Sequence, residues 1–189
     1  MGYYFHRYTK WLLILALAIR NTKIRESLNK RLPKALAEAF DKVPHKFLTH
    51  KIKVYKFDVN EVKWIAQWLS KRTSMVLVNG RKSHKFAITS GVPQGSVLGP
   101  LLFLLFINDM PLCVNDSYCR LYADDTLLGM DIIKCGPSKL QKSVTSLYDW
   151  SIKWGMSFNP HKCMHMALGK NLPSFKLFMN GDLKWHEHT

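Results

Sequence analysis

The sequence has no apolar run long enough to cross a bilayer. Its longest, Trp11–Ile19 and Val97–Ile107, hold nine and eleven residues, the second interrupted by Gly99 and Pro100, where a spanning helix needs about 20. Acid is also scarce: 13 Asp and Glu stand against 28 Lys and Arg in 189 residues, a net charge of +15 and a pI near 9.8. That imbalance attracts polyanions, nucleic acid ahead of an anionic membrane. Only four cysteines occur, Cys113, Cys119, Cys135 and Cys163, none in a C-x-x-C pair. The expectation is reduced thiols in an intracellular compartment, nuclear or cytoplasmic, and no secretion. His161, Cys163 and His165 alternate, as do His186 and His188, but neither group has the second ligand pair of a tetrahedral zinc site, and alternate residues of a strand share a face for packing reasons alone. Residues 1–23 join a basic start to an apolar stretch without a small-x-small cleavage site, so they read as a leader of unclear role. No internal repeat is present, which excludes a solenoid.

What is present is patterned. With 47% apolar residues the chain is globular. Ile24, Leu28, Leu32, Ala35, Leu36, Ala39, Phe40 and Val43 recur at steps of three and four, a helical stripe despite Pro33. Val62–Leu69 is a second helix, and Leu101–Asn108, apolar on every side, a third that is buried all round. Ser74–Asn79 and Lys85–Thr89 flank Asn79-Gly80 as a β-hairpin with basic arms at Arg81, Lys82 and Lys85. Lys139–Trp154 returns to helical spacing, and Met164–Leu168 and Phe175–Met179 read as strands. The sum is an α+β fold, with residues 24–168 as its main domain.

Two segments carry chemistry. In Leu121-Tyr122-Ala123-Asp124-Asp125-Thr126-Leu127-Leu128, two carboxylates are bracketed by apolar arms. An acidic pair by itself is most simply a solvated turn, but these flanks imply a buried hairpin with an acidic tip. Desolvated like charges there call for a compensating cation such as Mg²⁺. Two such ions activate an attacking hydroxyl and neutralise a leaving phosphate in nucleotidyl transfer. Ser90–Pro100 holds three glycines and two prolines ahead of a buried helix, a loop whose backbone can approach a phosphate or base edge closely, or simply start the helix.

The order of Ala39-Phe40-Asp41-Lys42-Val43-Pro44-His45, Ser90–Pro100 running into Leu101–Pro111, Tyr122-Ala123-Asp124-Asp125 and Trp154–Lys162 closely resembles the reverse transcriptase domain of LINE-type non-LTR retrotransposons. The resemblance implies a right-hand polymerase palm, an antiparallel sheet backed by helices, with fingers and thumb largely missing. It makes Asp124 and Asp125 the catalytic, metal-binding pair. It places Phe40, Gln94, Gly95, Tyr122 and Lys162 around the incoming nucleotide, although Phe40 as core, Gln94 as a turn residue and Lys162 as a solvated charge are the plainer readings of each alone. The implied partners are an RNA template, a DNA primer and deoxynucleotide triphosphates, with Mg²⁺ as cofactor and no membrane.

Two departures accompany the match. The family's first motif has a metal-bridging aspartate six residues before the position of Asp41, and here that position is Ala35. A methyl group cannot coordinate Mg²⁺, and Glu38 and Asp41 would need a rearranged backbone to replace it. Residues 169–189 end where the family enters its primer grip. The expectation is an RNA-directed DNA polymerase by descent, catalytically inactive as this chain. The rivals are a non-catalytic basic nucleic-acid-binding protein and a secreted or membrane-surface protein defined by its first residues.

Overall fold

Helix starts and stops follow local chemistry that the apolar pattern alone does not reveal. The structure, a computed structural model, describes residues 39–159, 163–165, 175–179 and 186–187. The leader, Ala35, Lys162 and residues 24–38 of the expected first helix lie outside them. Helix α1, Ala39–Lys42, ends before Val43, because Pro44 excludes the helical backbone from the residue that precedes it. The helical stripe therefore does not run through Val43. After Pro44 comes α2, His45–Val54. Helix α3 spans Val59–Leu69, starting earlier than the apolar spacing indicates. Asp58 accepts from Asn60 N at 2.8 Å while Glu61 Oε2 accepts from Asp58 N at 2.9 Å, a capping box that satisfies the orphan amides of the first turn.

The expected hairpin is present as a longer, two-tier ribbon. Strand β1, Thr73–Ser74, pairs with β4, Phe86–Ala87, and β2, Leu77–Val78, with β3, Arg81–Lys82. Asn79 and Gly80 both adopt positive φ, 49° and 77°, the backbone of a type I′ turn. Ser74 faces Phe86 but Leu77 faces Lys82, so one extra residue is accommodated between the tiers as a bulge, and the ribbon twists there.

Helix α4, Leu98–Ile107, buries Leu102, Phe103, Phe106 and Ile107, but Leu101 is 42% exposed. It is thus not buried on every side: a 10-residue helix lying on one core leaves an outer edge in solvent. A 3₁₀ turn, Met110–Cys113, leads into β5, Tyr118–Tyr122, and β6, Asp125–Gly129. Helix α5 is Ile132–Cys135, and α6, Pro137–Lys153, matches the Lys139–Trp154 periodicity. Helix α6 closes on Gly155, φ 66°, with Gly155 N donating to Ile152 O and Met156 N to Ser151 O, the pair of bonds of a Schellman C-cap.

The sheet is smaller than expected. Among the described residues the strands form four separate two-stranded ladders, and β7, Met164–His165, pairs with β8, His186–Glu187, in parallel. The parallel pairing follows from a long connection, where tight turns impose antiparallel pairing elsewhere. Phe175–Met179 has the alternating burial of a strand, with Leu177 and Met179 inward. Its partner is a side chain: Gln141 donates to Phe178 O at 2.8 Å and accepts from Phe178 N at 2.9 Å.

One core cluster joins Val43, Leu48 and Ile52 of the α2 region, Ile65 and Leu69, Phe103 and Phe106, Met110, Leu147 and Trp150. Inside it is a cation. Lys51, 3% exposed, donates from Nζ to Phe106 O at 2.6 Å and to Asp109 Oδ1 at 2.5 Å. Its ammonium is 3.9 Å from the Trp154 ring centroid and within 4.7 Å of those of Trp150 and Phe106. Asp109 Oδ1 also accepts from Trp150 Nε1 at 3.1 Å. Burial holds the Lys51 pKa down to about 8 from its ordinary 10.5, with Asp109 opposing that shift.

Two outcomes follow for Lys51. Truncation in Lys51→Ala removes the charge, the carbonyl's donor and the stem that fills the cage, and should lower stability in urea by about 3 kcal/mol; a loss below about 1 kcal/mol would show that the pair is dispensable. The folded chain also gives up this proton before the unfolded chain does. Between about pH 8 and 10.5 the unfolded state holds more protons, so Lys51 makes stability rise with pH there, by up to roughly 3 kcal/mol. Equilibrium unfolding across that window should show the rise in the native sequence relative to Lys51→Met.

Candidate polymerase site

The acidic pair lies at a hairpin turn, as its apolar arms imply. Tyr122 pairs with Asp125, so Ala123 and Asp124 are the two turn residues. Ala123 takes φ 50°, a left-handed conformation that a residue with a Cβ adopts only where the surroundings enforce it. Leu121 faces Thr126 and Cys119 faces Leu128 across the ladder. Cys119, Leu121 and Leu128 pack on the main core and Thr126 Oγ1 lies 3.9 Å from Met110 Sδ, so this face docks on the 3₁₀ turn. The opposite face carries Tyr122 and Asp125. Asp125 is only 7% exposed while Asp124 is half-buried. Burial pushes the Cys119 thiol up to about 12, so it stays protonated near neutral pH. At the far end of the hairpin Tyr118 covers Gly129, where a Cβ would fall 2.0 Å from the Tyr118 ring. That contact fixes the register and with it the turn that presents the carboxylates.

The Ser90–Pro100 loop is pinned to the segment around Phe40. Gly91 N donates to Val43 O and Val92 N to Phe40 O, each at 2.8 Å. Ser90 Oγ donates to Asp41 O and Gln94 Nε2 to Asp41 Oδ1, also at 2.8 Å each. His45 Nε2 lies 2.8 Å from Gly91 O. Gly91, φ 84°, approaches so closely that a Cβ would fall 2.7 Å from Asp41 Cα, and a Cβ on Gly99 would fall 2.4 Å from Pro93 O. These glycines allow close approach of chain to chain. Gly95, φ 81°, has open space within 4 Å of its Cβ position, which makes it the loop glycine at which a ligand could come close. Ser96 Oγ accepts from Gly99 N at 2.9 Å and so caps the start of α4.

Phe40 and Gln94 are therefore brought together through Asp41, and Phe40 stacks on Phe103 with ring centroids 4.4 Å apart. Phe40 packs against the same core cluster as Leu121 of the acidic hairpin. Asp41, His45 and Ser90 emerge as positioning residues that spacing did not single out. The available signal was the position of Asp41 and His45 on either side of Val43-Pro44. Lys162 lies outside the described residues.

A hairpin turn with one buried carboxylate and a glycine-pinned loop are thus carried on one core cluster. Residues 35–183 match the family described as reverse transcriptase (RNA-dependent DNA polymerase). The chain belongs to that family, and its relatives place it among LINE-type non-LTR retrotransposon reverse transcriptases. It is 34% identical over 164 residues to the RNA-directed DNA polymerase from mobile element jockey of Drosophila melanogaster, covering 82% of this chain and 18% of that protein. It is 34% identical over 140 residues to the probable RNA-directed DNA polymerase from transposon BS of the same fly, covering 69% of this chain and 15% of that protein. To the retrovirus-related Pol polyprotein from type-1 retrotransposable element R2 of Popillia japonica it is 27% identical over 157 residues, 75% of this chain and 25% of that protein. The chain thus spans a quarter or less of the length of these relatives. No helix among the described residues is long and apolar enough to cross a membrane.

The two loop glycines should respond differently to a methyl group. Gly91→Ala combines a positive φ with a backbone clash and should destabilise by about 3 kcal/mol, whereas Gly95→Ala pays only for its backbone conformation, about 1 kcal/mol. Urea titrations of both variants test this; equal losses would contradict the docking of Gly91 on Asp41.

Proposed function

We propose that this chain forms the palm of an RNA-directed DNA polymerase, with Asp124 and Asp125 as its catalytic, metal-binding carboxylates and Phe40, Gln94, Gly95, Tyr122 and Lys162 around the deoxynucleotide. The observation that carries the reading is the hairpin turn that sets two adjacent carboxylates beside a core, one of them buried. Their hard oxygen donors suit Mg²⁺, which typically takes one or two carboxylates and keeps several waters. Among the described residues no group of three or more His, Cys, Asp or Glu comes together, and the two aspartates are the donors this reading assigns. Bound there, Mg²⁺ would supply charge neutralisation and lower the pKa of an attacking hydroxyl. The chain's own part is positional: Asp41 orients Gln94, His45 and Ser90 anchor the loop, and Phe40 supplies an apolar floor held by Phe103. RNA template and DNA primer are the partners of this reading.

Ala35 stands where the family has a third carboxylate, and its methyl offers no ligand. Two carboxylates without the bridging one should leave transfer slower by roughly a thousandfold or more, which amounts to an inactive polymerase. This favours a second reading for the present sequence, a basic nucleic-acid-binding protein without catalysis.

A chimera tests both. A full-length relative carrying residues 35–183 of this chain in place of its own should not extend a primer with Mg²⁺ and deoxynucleotides, and Ala35→Asp in the chimera should partly restore extension. Extension by the Ala35 chimera that disappears in Asp124→Asn would overturn the inactivity and point to Glu38 or Asp41 as a substitute ligand.

A further inference from the structure

Phe175–Met179 alternates like a strand, with Phe178 40% exposed between buried Leu177 and Met179, yet among the described residues it joins no ladder. The amide of Gln141 on α6 takes the place of a neighbouring strand. Its Nε2 donates to Phe178 O at 2.8 Å and its Oε1 accepts from Phe178 N at 2.9 Å, the two bonds that a paired residue of an antiparallel ladder exchanges. One turn further along α6, Thr145 donates its hydroxyl proton to Gln141 O at 3.0 Å and so accepts from Nε2, which lies 3.3 Å away. These partners together dictate which end of the amide is nitrogen and which way it faces.

The strap held in this way bears on the acidic hairpin. Leu177 and Met179 pack with Leu140 and Val144 of α6, and Leu128, Met130 and Ile132 pack against the same cluster. Leu128 also packs on the main core and pairs with Cys119 of β5. It stands three residues after Asp125 on β6. A two-stranded ladder is marginally stable alone, so β5–β6 depends on both clusters that Leu128 joins. Apolar burial is non-directional and leaves a strap free to slide. A slip of one residue would turn Phe178 inward and Leu177 outward. The two directional bonds of Gln141 fix the register that keeps Leu177 and Met179 in the cluster.

We propose that Gln141 is a positioning residue for the Asp124–Asp125 turn, acting through the Phe175–Met179 strap and Leu128. This role rests on the polymerase reading for what the turn does, whereas the bracing itself needs no metal.

The test is amide hydrogen exchange of the full chain, read residue by residue without metal. Gln141→Met keeps the bulk and removes both polar atoms. At pH 7 it should speed exchange about tenfold at Phe178 and in the β5–β6 ladder while leaving the amides of α3 unchanged. Gln141→Glu should behave likewise at pH 7, where a carboxylate faces Phe178 O without a proton. Near pH 4 it should regain protection relative to the native sequence at the same pH, because a protonated carboxyl both donates and accepts. That recovery separates a lost pair of bonds from a weakened fold, and it is read within one variant even where Gln141→Met does not fold. In the Ala35→Asp chimera, Gln141→Met should lower kcat for extension about tenfold at unchanged nucleotide KM. Unchanged exchange at Phe178 would overturn the proposal. So would faster exchange at Phe178 with the ladder unchanged, equal acceleration throughout including α3, or a Gln141→Glu chain that gains nothing on acidification. An Ala35→Asp chimera that does not extend a primer would count against the polymerase reading and leave the exchange result to decide the bracing.

Discussion

A lysine ammonium buried among three aromatic rings sets the spacing of the candidate site. Lys51 ties the last turn of α4, through Phe106 O, and the start of the following turn, through Asp109, to helix α2. At the other end of α2, His45 meets Gly91 O and so holds the loop that carries Gln94. Just past Asp109, Met110 receives Thr126 of the acidic hairpin. The glycine loop and the acidic turn are thus connected through one ion pair whose ammonium is buried. Such a pair contributes little net stability against an apolar substitute of the same shape, but it tolerates few other arrangements, because a displaced ammonium would be buried without acceptors. Its geometric demand fixes where loop and turn stand relative to α2.

Much of this was legible in the sequence where pattern and chemistry agree. Apolar arms around Asp124-Asp125 specify a hairpin, Asn79-Gly80 specifies a turn, and the spacing through Leu140, Val144 and Leu147 specifies α6. What the pattern missed or misread has identifiable physical causes. Lys51 lies among Lys46, Lys53 and Lys56, and nothing in a one-dimensional pattern distinguishes the lysine that faces Trp150 from those that face water. Phe175–Met179 has a strand's alternation but finds its hydrogen-bond partner in the Gln141 side chain, a contact between positions far apart in the sequence. The start of α3 was written in Asp58 and Glu61, polar residues that apolar periodicity ignores.

In the glycine loop the structure supplies a physical reason that composition left open. Three glycines in eleven residues invite the reading that backbone must approach a ligand. In the structure Gly91 and Gly99 are needed because the chain approaches itself, at Asp41 and at Pro93 O, and this contact makes the loop rigid without a ligand. Only Gly95 faces open space. A loop already held by five hydrogen bonds to residues 40–45 has little freedom left to lose to any ligand, which is the energetic advantage of preorganisation.

Charge is unevenly divided along this chain. The acid-free stretch Val62–Asn108 and the buried turn at Asp125 impose opposite local fields, one suited to a polyanion and one to a cation. Replacing a carboxylate by the methyl of Ala35 removes a negative charge from the cation's side of that division. Affinity for Mg²⁺ falls with each lost oxygen donor, whereas attraction for a phosphate backbone is undiminished or slightly raised, because the net charge moves one unit further positive. On the proposed reading, a sequence that drifts at position 35 therefore loses transfer chemistry before it loses its attraction for nucleic acid.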